Sequence, residues 1–229
     1  MKREIIKTKD GSHTIFMPEW NESYHSKNGA IQEAKHVFIQ TGLSLFKDKE
    51  VTIMEIGFGT GLNAFITFLE SKLVNQKINY VGVEAYPVDL KEIEMLNYIE
   101  ELNANSDELV FNSMHTSKWE EKFEVSSIFN LTKRKQFFQD IKDIDTFDLV
   151  YFDGNHTRKA TLEYFESSLS SINNNSVFLF DDIHWNKEME LAWQDIKNHP
   201  QVTVTIDTYQ WGFVFFRKEQ QKEHFTIRL

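Results

Sequence analysis

The sequence predicts an α/β fold in which a mostly parallel sheet of seven strands carries helices on both faces. Short apolar runs alternate with amphipathic stretches, and one run, Val51–Ile56, leads directly into a glycine-rich turn. Alternation of this kind places parallel strands side by side and puts ligands at their carboxyl ends. The last two predicted strands follow one another without a helix, so one of them should run antiparallel to the rest.

An N-terminal extension, residues 1–45, precedes this core. Asp10-Gly11 between two apolar runs predicts a hairpin. Residues 29–43 repeat apolar side chains at helical spacing. We therefore expect a single domain over the 229 residues, in which residues 46–229 form the core.

The core elements follow from the pattern of apolar runs and turn residues. Strands are predicted at residues 51–56, 80–84, 109–111, 147–153, 176–180, 202–206 and 212–216. Helices are predicted at residues 62–73, 89–102, 161–169 and 187–197. The charged segment 116–146 has no clean period, and we interpret it as an insertion or cap.

Composition excludes several kinds of site. The chain has no cysteine, which excludes disulfides, thiolate metal sites and cysteine nucleophiles. No apolar stretch reaches the length of a membrane span or follows the charged first residues, so we expect a cytoplasmic protein without a membrane partner. The formal net charge of −10 argues against a nucleic-acid partner, because such proteins usually present basic surfaces.

The glycine-rich turn is the strongest functional signal. Gly57, Gly59 and Gly61 alternate after a buried strand, and Glu84 ends the next strand. Glycines let the backbone approach a ligand, and a strand-end carboxylate suits the hydroxyls of a ribose. The spacing differs from the dinucleotide pattern and from the P-loop. Together with the preceding Glu55, it resembles the first motif of Rossmann-like S-adenosylmethionine-dependent methyltransferases.

This resemblance implies roles for the residues around the turn. The three glycines would accommodate the methionine and ribose portions of the cofactor, and Asn63 would cap the following helix. Glu84 would hold the ribose hydroxyls, with Ala85 and Tyr86 beside the adenine. Glu55 would contact the methionine amino group; the alternative is a solvated strand end.

Later residues suggest contacts with cofactor or acceptor. His115 and Trp119 follow the predicted strand 109–111, where adenine contacts are common in such enzymes, although Trp119 suits the core equally. Asp153 ends a strand and should point into the active-site cleft. His156 could act as a general base near neutral pH, and the alternative is a local hydrogen-bonding role.

A metal site is a further hypothesis. Asp153, Asp181 and Asp182 could converge as oxygen ligands for Mg²⁺, as acidic residues do at similar strand ends of cation-dependent O-methyltransferases. The alternative is that Asp182 caps the next helix while Asp181 is partly solvated. We therefore expect no metal, with Asp181 and Asp182 as weak candidates.

Motifs over residues 1–153 resemble MnmD, the methyltransferase also found as one half of MnmC. They lie at Asp10-Gly11-Ser12, Tyr24-His25-Ser26, Gly29-Ala30, Glu33-Ala34, Val37-Phe38-Ile39 and residues 55–63, 83–87 and 114–119. The resemblance implies N-methylation of 5-aminomethyl-(2-thio)uridine at the tRNA wobble position. It implies tRNA as partner, a separate oxidoreductase or pathway enzyme that supplies the aminomethyl base, and Asp153 as the group that positions the amine and accepts its proton.

Residues 147–229 are similar to a different group of bacterial S-adenosylmethionine-dependent methyltransferases. Two prolines and a tryptophan of the MnmD pattern after Asp153 are replaced by Gly154-Asn155-His156 and the residues that follow. The chain therefore resembles a hybrid joined at a strand-end aspartate that both groups share. Two alternatives stay open: a small-molecule methyltransferase, possibly Mg²⁺-assisted and acting on oxygen, and a cofactor-binding protein without activity.

Overall fold

The computed structural model describes residues 2–137, 140, 141 and 146–227. Its strands, numbered in chain order, are β1 Glu4–Lys7, β2 His13–Met17, β3 Glu22–Ser23, β4 Val51–Ile56, β5 Ile78–Val83, β6 Lys122–Ser126, β7 Phe129–Arg134, β8 Phe147–Phe152, β9 Ile172–Phe180, β10 Val204–Asp207, β11 Gly212–Phe215 and β12 Glu223–Thr226. Its α-helices are α1 Ala30–Ala34, α2 Leu62–Val74, α3 Leu90–Ile93, α4 Tyr98–Glu101, α5 Glu108–Thr116, α6 Arg158–Ser168 and α7 Lys187–Asn198. A π-helix, Lys35–Gly42, continues α1, and 3₁₀ turns lie at Leu43–Phe46, Asn105–Asp107 and Leu169–Ser171.

The chain divides into two units. The extension unit comprises Met1–Lys49, Phe58–Ile78 and Tyr86–Lys133, and the sheet unit comprises Glu50–Gly57, Asn79–Ala85 and Arg134–Leu229. The single domain and the insertion over 116–146 stay predictions, and part of that insertion lies outside the described residues. None of the helices in the described ranges combines the length and apolar character needed to cross a membrane.

The described part of the sheet unit contains seven strands in the order β12-β10-β11-β9-β8-β4-β5. Strand β8 runs parallel to both β4 and β9, whereas β11 runs antiparallel to β9 and to β10. The antiparallel strand expected near the C-terminus is therefore confirmed. Ile56 and Phe180 both pair with Phe152, so the carboxyl ends of β4, β8 and β9 lie level at one edge.

Aromatic packing fixes these strand ends. The rings of Phe152 and Phe180 stack with centroids 4.2 Å apart and planes 4° from parallel. Phe178 and Phe165 pack against the same group, and all four side chains are at most 5% exposed. Burial of large aromatic side chains is the main stabilising term in such a core. Because these aromatic side chains fill the core beside the strand ends, polar side chains can gather on the residues just beyond each strand.

In the extension unit the predicted hairpin is confirmed. Strands β1 and β2 pair antiparallel around a turn in which Asp10 accepts hydrogen bonds from Thr8, from Ser12 and, at 3.0 Å, from the Gln32 backbone N–H in α1. Because one carboxylate bonds both segments, the hairpin turn and the start of α1 are held together. These hydrogen bonds to Asp10 also lower the pKa of its carboxyl, although burial opposes them.

Two element predictions are wrong. Residues 109–111, expected as a strand, lie inside α5, because a short apolar run alone does not distinguish a strand from a buried helix face. The helix expected over 89–102 consists of two short helices, α3 and α4. A capping box at Asp89 starts the first of them, with Glu92 as the reciprocal partner.

The segment read as an insertion contains a hairpin. Strands β6 and β7 pair antiparallel, and β7 alternates buried and half-buried side chains along its length. One of the inward positions is Lys133, which is 1% exposed. A lysine at an inward position conceals the alternation that would otherwise have indicated a strand.

Candidate active site

The glycine turn after β4 has left-handed backbone at all three glycines. The φ angles of Gly57, Gly59 and Gly61 are 95°, 50° and 71°. At Gly57 a Cβ would overlap the carbonyl oxygen of Asp153, and at Gly61 it would lie 2.9 Å from Cε1 of His115. Conformation and close approach therefore both require glycine at these two positions.

His115 lies beside the turn with an unsatisfied nitrogen. Its imidazole bonds to the Thr60 backbone, while Nε2 is buried and has no hydrogen-bond partner among the residues that the structure describes. Desolvation, assisted by the charge of Lys133 and opposed by the Thr60 bond, lowers the pKa of His115 to about 3. The ring is therefore neutral at pH 7 and presents an acceptor that a ligand donor could satisfy.

The positions of two expected cofactor residues differ from the prediction. His115 does not follow a strand, since it lies in the last turn of α5. Asn63 does not occupy the cap position of α2, because the N-cap residue is Gly61 and Asn63 is the buried second residue of the helix. Trp119 is partly buried, and Nζ of Lys133 lies over its ring, 4.9 Å from the centroid.

The sheet unit gathers its carboxylates at the level strand ends. Glu55 is 1% exposed and accepts a 2.8 Å hydrogen bond from the Tyr80 hydroxyl, so it is not a solvated strand end. Burial raises the pKa of Tyr80 well above 10, and the charges of Glu55 and Asp153 raise it further. Tyr80 is thus a fixed neutral donor, and the Asp153 carboxylate lies close enough to influence it.

The backbone of Asp153 contacts both the end of β4 and the first glycine of the turn. Its N–H donates to the Ile56 carbonyl at 3.1 Å, and its carbonyl oxygen lies against Gly57. Unlike Glu55, it is only partly buried. Asp153 is therefore a partly exposed residue whose backbone is fixed at the strand end.

Glu84 directly follows β5 and is partly exposed, as a ribose-binding carboxylate requires. Its backbone N–H donates to the Arg134 carbonyl at 2.9 Å. Its charge also contributes to raising the pKa of Tyr164, a shift caused mainly by burial, while Asn155 hydrogen-bonds the same hydroxyl. Ala85, the next residue, is likewise partly exposed.

The second acidic strand end is built differently. Asp181 is 9% exposed and accepts a 3.3 Å hydrogen bond from the Tyr151 hydroxyl. Burial raises the pKa of Asp182, and the neighbouring His156 opposes the rise. Nε2 of His156 is buried and makes no hydrogen bond within the described part of the chain. The helix that follows is capped by Asn186, so Asp182 is not its cap.

The magnesium hypothesis gains no support. Within the described ranges, no group of three or more His, Asp or Glu side chains is arranged to hold a metal ion. Asp153, Asp181 and Asp182 do not form such a group, and the tyrosines already bond the two buried carboxylates, Glu55 and Asp181. Asp181 and Asp182 therefore stay unsupported as metal ligands.

The residues present fit a nucleoside cofactor with an amino-acid tail. In the extension unit, the left-handed Gly59 and Gly61 let backbone approach a ligand, and Nε2 of His115 is a buried acceptor. In the sheet unit, Gly57 has the same backbone form, and Glu84 is a strand-end carboxylate of the type that binds ribose hydroxyls. Among the predicted cofactor residues, Glu55, Gly57, Glu84, Ala85 and Asp153 belong to the sheet unit, and Gly59, Gly61, Asn63 and His115 belong to the extension unit.

Sequence reasoning missed three residues around this site. Tyr80 holds Glu55, Thr60 is fully buried inside the glycine turn, and Arg134 bonds the backbone of Glu84. Only Tyr80 had a signal, since a tyrosine inside an apolar strand needs a partner for its hydroxyl.

Comparison with known families supports the cofactor reading. A family model described as a methyltransferase domain matches residues 54–183, more than half of the chain. This range contains the glycine turn, Glu84, Asp153 and both acidic strand ends.

The curated relatives are tRNA-modification proteins. The chain is 30% identical over 82 residues to the tRNA 5-methylaminomethyl-2-thiouridine biosynthesis bifunctional protein MnmC of Magnetococcus marinus, a match covering 33% of this chain and 12% of that protein. It is 30% identical over 106 residues to the protein of the same name from Nitrosospira multiformis, covering 42% and 17% respectively. The chain thus matches less than a fifth of the length of these relatives.

A solved structure extends the likeness in fold. The chain resembles MNMC2 from Aquifex aeolicus with a TM-score of 0.67 and 17% identity over 97% of this chain and 72% of that one. The similarity in fold therefore includes the back third, where the sequence resemblance to MnmD ends.

Proposed function

Because the chain belongs to the methyltransferase-domain family and S-adenosylmethionine is its methyl donor, we propose that it methylates the primary amine of 5-aminomethyl-(2-thio)uridine at the tRNA wobble position. Two findings support this acceptor: the sequence matches to MnmC proteins and the fold shared with MNMC2. The observation that carries the chemistry is Asp153, a partly exposed carboxylate fixed at a strand end.

The cofactor supplies an activated methyl group, so the protein mainly has to align it with the nucleophile. Gly57, Gly59 and Gly61 would bring backbone against it, Glu84 would hold the ribose hydroxyls and His115 would accept a hydrogen bond at Nε2. Glu55, sealed by Tyr80, would set the electrostatic environment of the methionine end.

The acceptor amine is protonated near neutral pH and must lose a proton to expose its lone pair. Asp153 would bind the ammonium form, orient its nitrogen and accept the proton as the amine is released. Glu55 is unsuited to this step, since it is 1% exposed and already bonded by Tyr80. Because Glu55 is buried and Asp153 is partly exposed, turnover should depend on Asp153.

A cytoplasmic location and a separate enzyme that supplies the aminomethyl base belong to the same proposal. The net charge of −10 requires the tRNA contact to be local. Basic side chains are relatively concentrated in residues 1–49, which contain eight Lys and Arg against six Asp and Glu, whereas residues 50–229 contain seventeen against twenty-nine. Residues 1–49, which include the N-terminal extension, are therefore the part of the chain best suited to phosphate.

The test is transfer of labelled methyl from S-adenosylmethionine to tRNA from cells that lack the modification. We expect label at the wobble uridine, equal with and without EDTA. Absence of label while calorimetry shows cofactor binding would reject tRNA as acceptor and favour a small molecule or an inactive binding protein. Loss of label with EDTA would instead restore the metal hypothesis.

A further inference from the structure

Thr60, in the middle of the glycine turn, is bonded through both its backbone and its side chain. Its side chain is 0% exposed, and Tyr98 donates to its Oγ1 at 3.1 Å. Nε2 of His25 lies 2.9 Å from the same oxygen. The imidazole of His115 bonds to the Thr60 backbone. Three rings from three separate segments therefore converge on one residue between two left-handed glycines.

His25 belongs to the N-terminal extension rather than to the cofactor-binding core. Its segment is fixed to β2, since the His25 N–H donates to Thr14 Oγ1 at 3.1 Å and the Tyr24 N–H donates to the Ile15 carbonyl at 2.9 Å. The imidazole thus connects an ordered hairpin to the turn, 35 residues further along the chain. No local sequence signal indicates such a contact.

The protonation state of His25 suits a fixed support. Desolvation lowers its pKa to about 4, so the ring is neutral at pH 7. With Tyr98 as donor to Thr60, the Thr60 hydroxyl is left to donate to Nε2 of His25. The Thr60 hydroxyl then both accepts and donates a hydrogen bond. A buried hydrogen-bond network of this kind rigidifies its surroundings.

Arg3 makes a second connection from the same extension. Its guanidinium donates to the Tyr86 carbonyl at 2.7 Å, to the Pro87 carbonyl at 3.3 Å and to Glu92 at 3.0 Å. Tyr86 and Pro87 lie two and three residues after Glu84 in the chain. Because Arg3 bonds backbone carbonyls, it fixes the path of this loop whatever side chains it carries.

We propose that the N-terminal extension is a working part of the cofactor site, with His25 as a positioning residue that holds the glycine turn through Thr60. The extension adds long-range hydrogen bonds to the local backbone bond of the turn, in which the Gly61 N–H donates to the Phe58 carbonyl at 2.8 Å. The inference rests on the proposed cofactor turn and concerns its preorganisation, which determines how much ordering cost ligand binding must offset.

The experiment compares calorimetric S-adenosylmethionine affinities of the intact protein and four variants at pH 7.5. His25→Ala and Thr60→Val should each weaken affinity about tenfold, as expected for loss of one buried hydrogen bond. His25→Gln can still reach Thr60 and should stay within about threefold of the intact protein. Far-UV circular dichroism and melting temperatures establish that every variant is folded at the temperature used.

His13→Ala is the matched control. His13 lies in β2 of the same extension, and its imidazole bonds the Met95 carbonyl at 2.9 Å rather than the glycine turn. We expect less than a twofold change in its affinity. Equal losses in His13→Ala and His25→Ala, or unchanged affinity in Thr60→Val, would overturn the positioning role. Failure of the unaltered protein to bind the cofactor would instead reject the turn as a cofactor site.

Discussion

The two units of this chain surround their functional residues in opposite ways. In the extension unit Thr60 is bonded by neutral groups, the imidazoles of His25 and His115 and the hydroxyl of Tyr98. In the sheet unit the strand ends carry the carboxylates of Glu55 and Asp153, with tyrosine as the bonding partner of the buried one.

This difference separates positioning from chemistry. Neutral hydrogen bonds fix a backbone without adding charge, which suits a turn that must approach a ligand closely. Carboxylates cost more to bury, and the proposed reaction needs one where an ammonium group would be bound and deprotonated. Substitutions in the two units should therefore change different measurements.

The largest expected effect concerns the sheet unit. Asp153→Asn keeps the shape but removes the proton acceptor, so turnover should fall about 10²- to 10⁴-fold. Cofactor affinity should change less than about threefold, because the proposed role begins with the acceptor. Steady-state kinetics and calorimetry measure the two quantities separately.

Asp195→Asn serves as the control for this prediction. Asp195 is a partly exposed aspartate of α7 in the same unit, where it pairs with Arg158, and its replacement should leave turnover unchanged. Parallel losses of turnover and cofactor affinity in Asp153→Asn would identify Asp153 as a cofactor ligand instead of the proton acceptor.

The next largest effect is on the free energy of unfolding, and it compares two glycines of the sheet unit, Gly57 and Gly154. Gly57→Ala combines a φ of 95° with an overlap against the Asp153 carbonyl, and should destabilise the fold by about 2–4 kcal/mol. At Gly154 a Cβ would come no closer than 4.0 Å to the Ile56 carbonyl oxygen, so Gly154→Ala should cost less than about 1 kcal/mol. Urea unfolding of both variants tests the contrast, and equal costs would show that the contact at Gly57 relaxes freely.

The smallest effect is a pH dependence that belongs to the extension unit. Unfolded imidazoles take up protons below about pH 6.5, whereas the folded pKa values of His25 and His115 are about 4 and about 3. The unfolded state therefore binds more protons between these limits, and stability falls as pH falls from about 6.5 towards 4. Because both imidazoles are partly exposed, we expect the free energy of unfolding to change by on the order of 1 kcal/mol per pH unit for the two together.

Urea unfolding at pH 7.5, 6 and 5 measures this slope. The double variant His25→Gln, His115→Gln should flatten it, while His36→Gln, at an exposed position of the π-helix, should leave it intact. An unchanged slope in the double variant would assign the acid sensitivity to other groups.

The sequence predicted those elements whose signal is local. Strands β4 and β8 are mostly apolar runs of six residues, too short for a typical helix, and the glycine turn indicates its own backbone conformation. Asp153 and Glu84 could be located because each directly follows such a strand. The family comparison confirms the methyltransferase fold built on these elements.

Features that depend on distant segments were not predictable. The contact between His25 and Thr60 joins positions 35 residues apart, and the hydrogen bond from Arg3 to the Tyr86 carbonyl joins positions 83 residues apart. Strand β7 was missed because its inward Lys133, whose Nζ donates to the His115 carbonyl at 2.7 Å, interrupts the apolar alternation. In each case a tertiary contact gives the residue a role that its neighbours in sequence do not indicate.

The neutral imidazole next to Thr60 also provides a spectroscopic probe. The chain has eight histidines, and an imidazole that takes up a proton shifts its ring resonances in ¹H–¹⁵N spectra. The ring resonances of His25 should instead hold still from pH 8 to pH 5. Any movement of those resonances when S-adenosylmethionine is added would then report on the glycine turn, without a label placed in the turn itself.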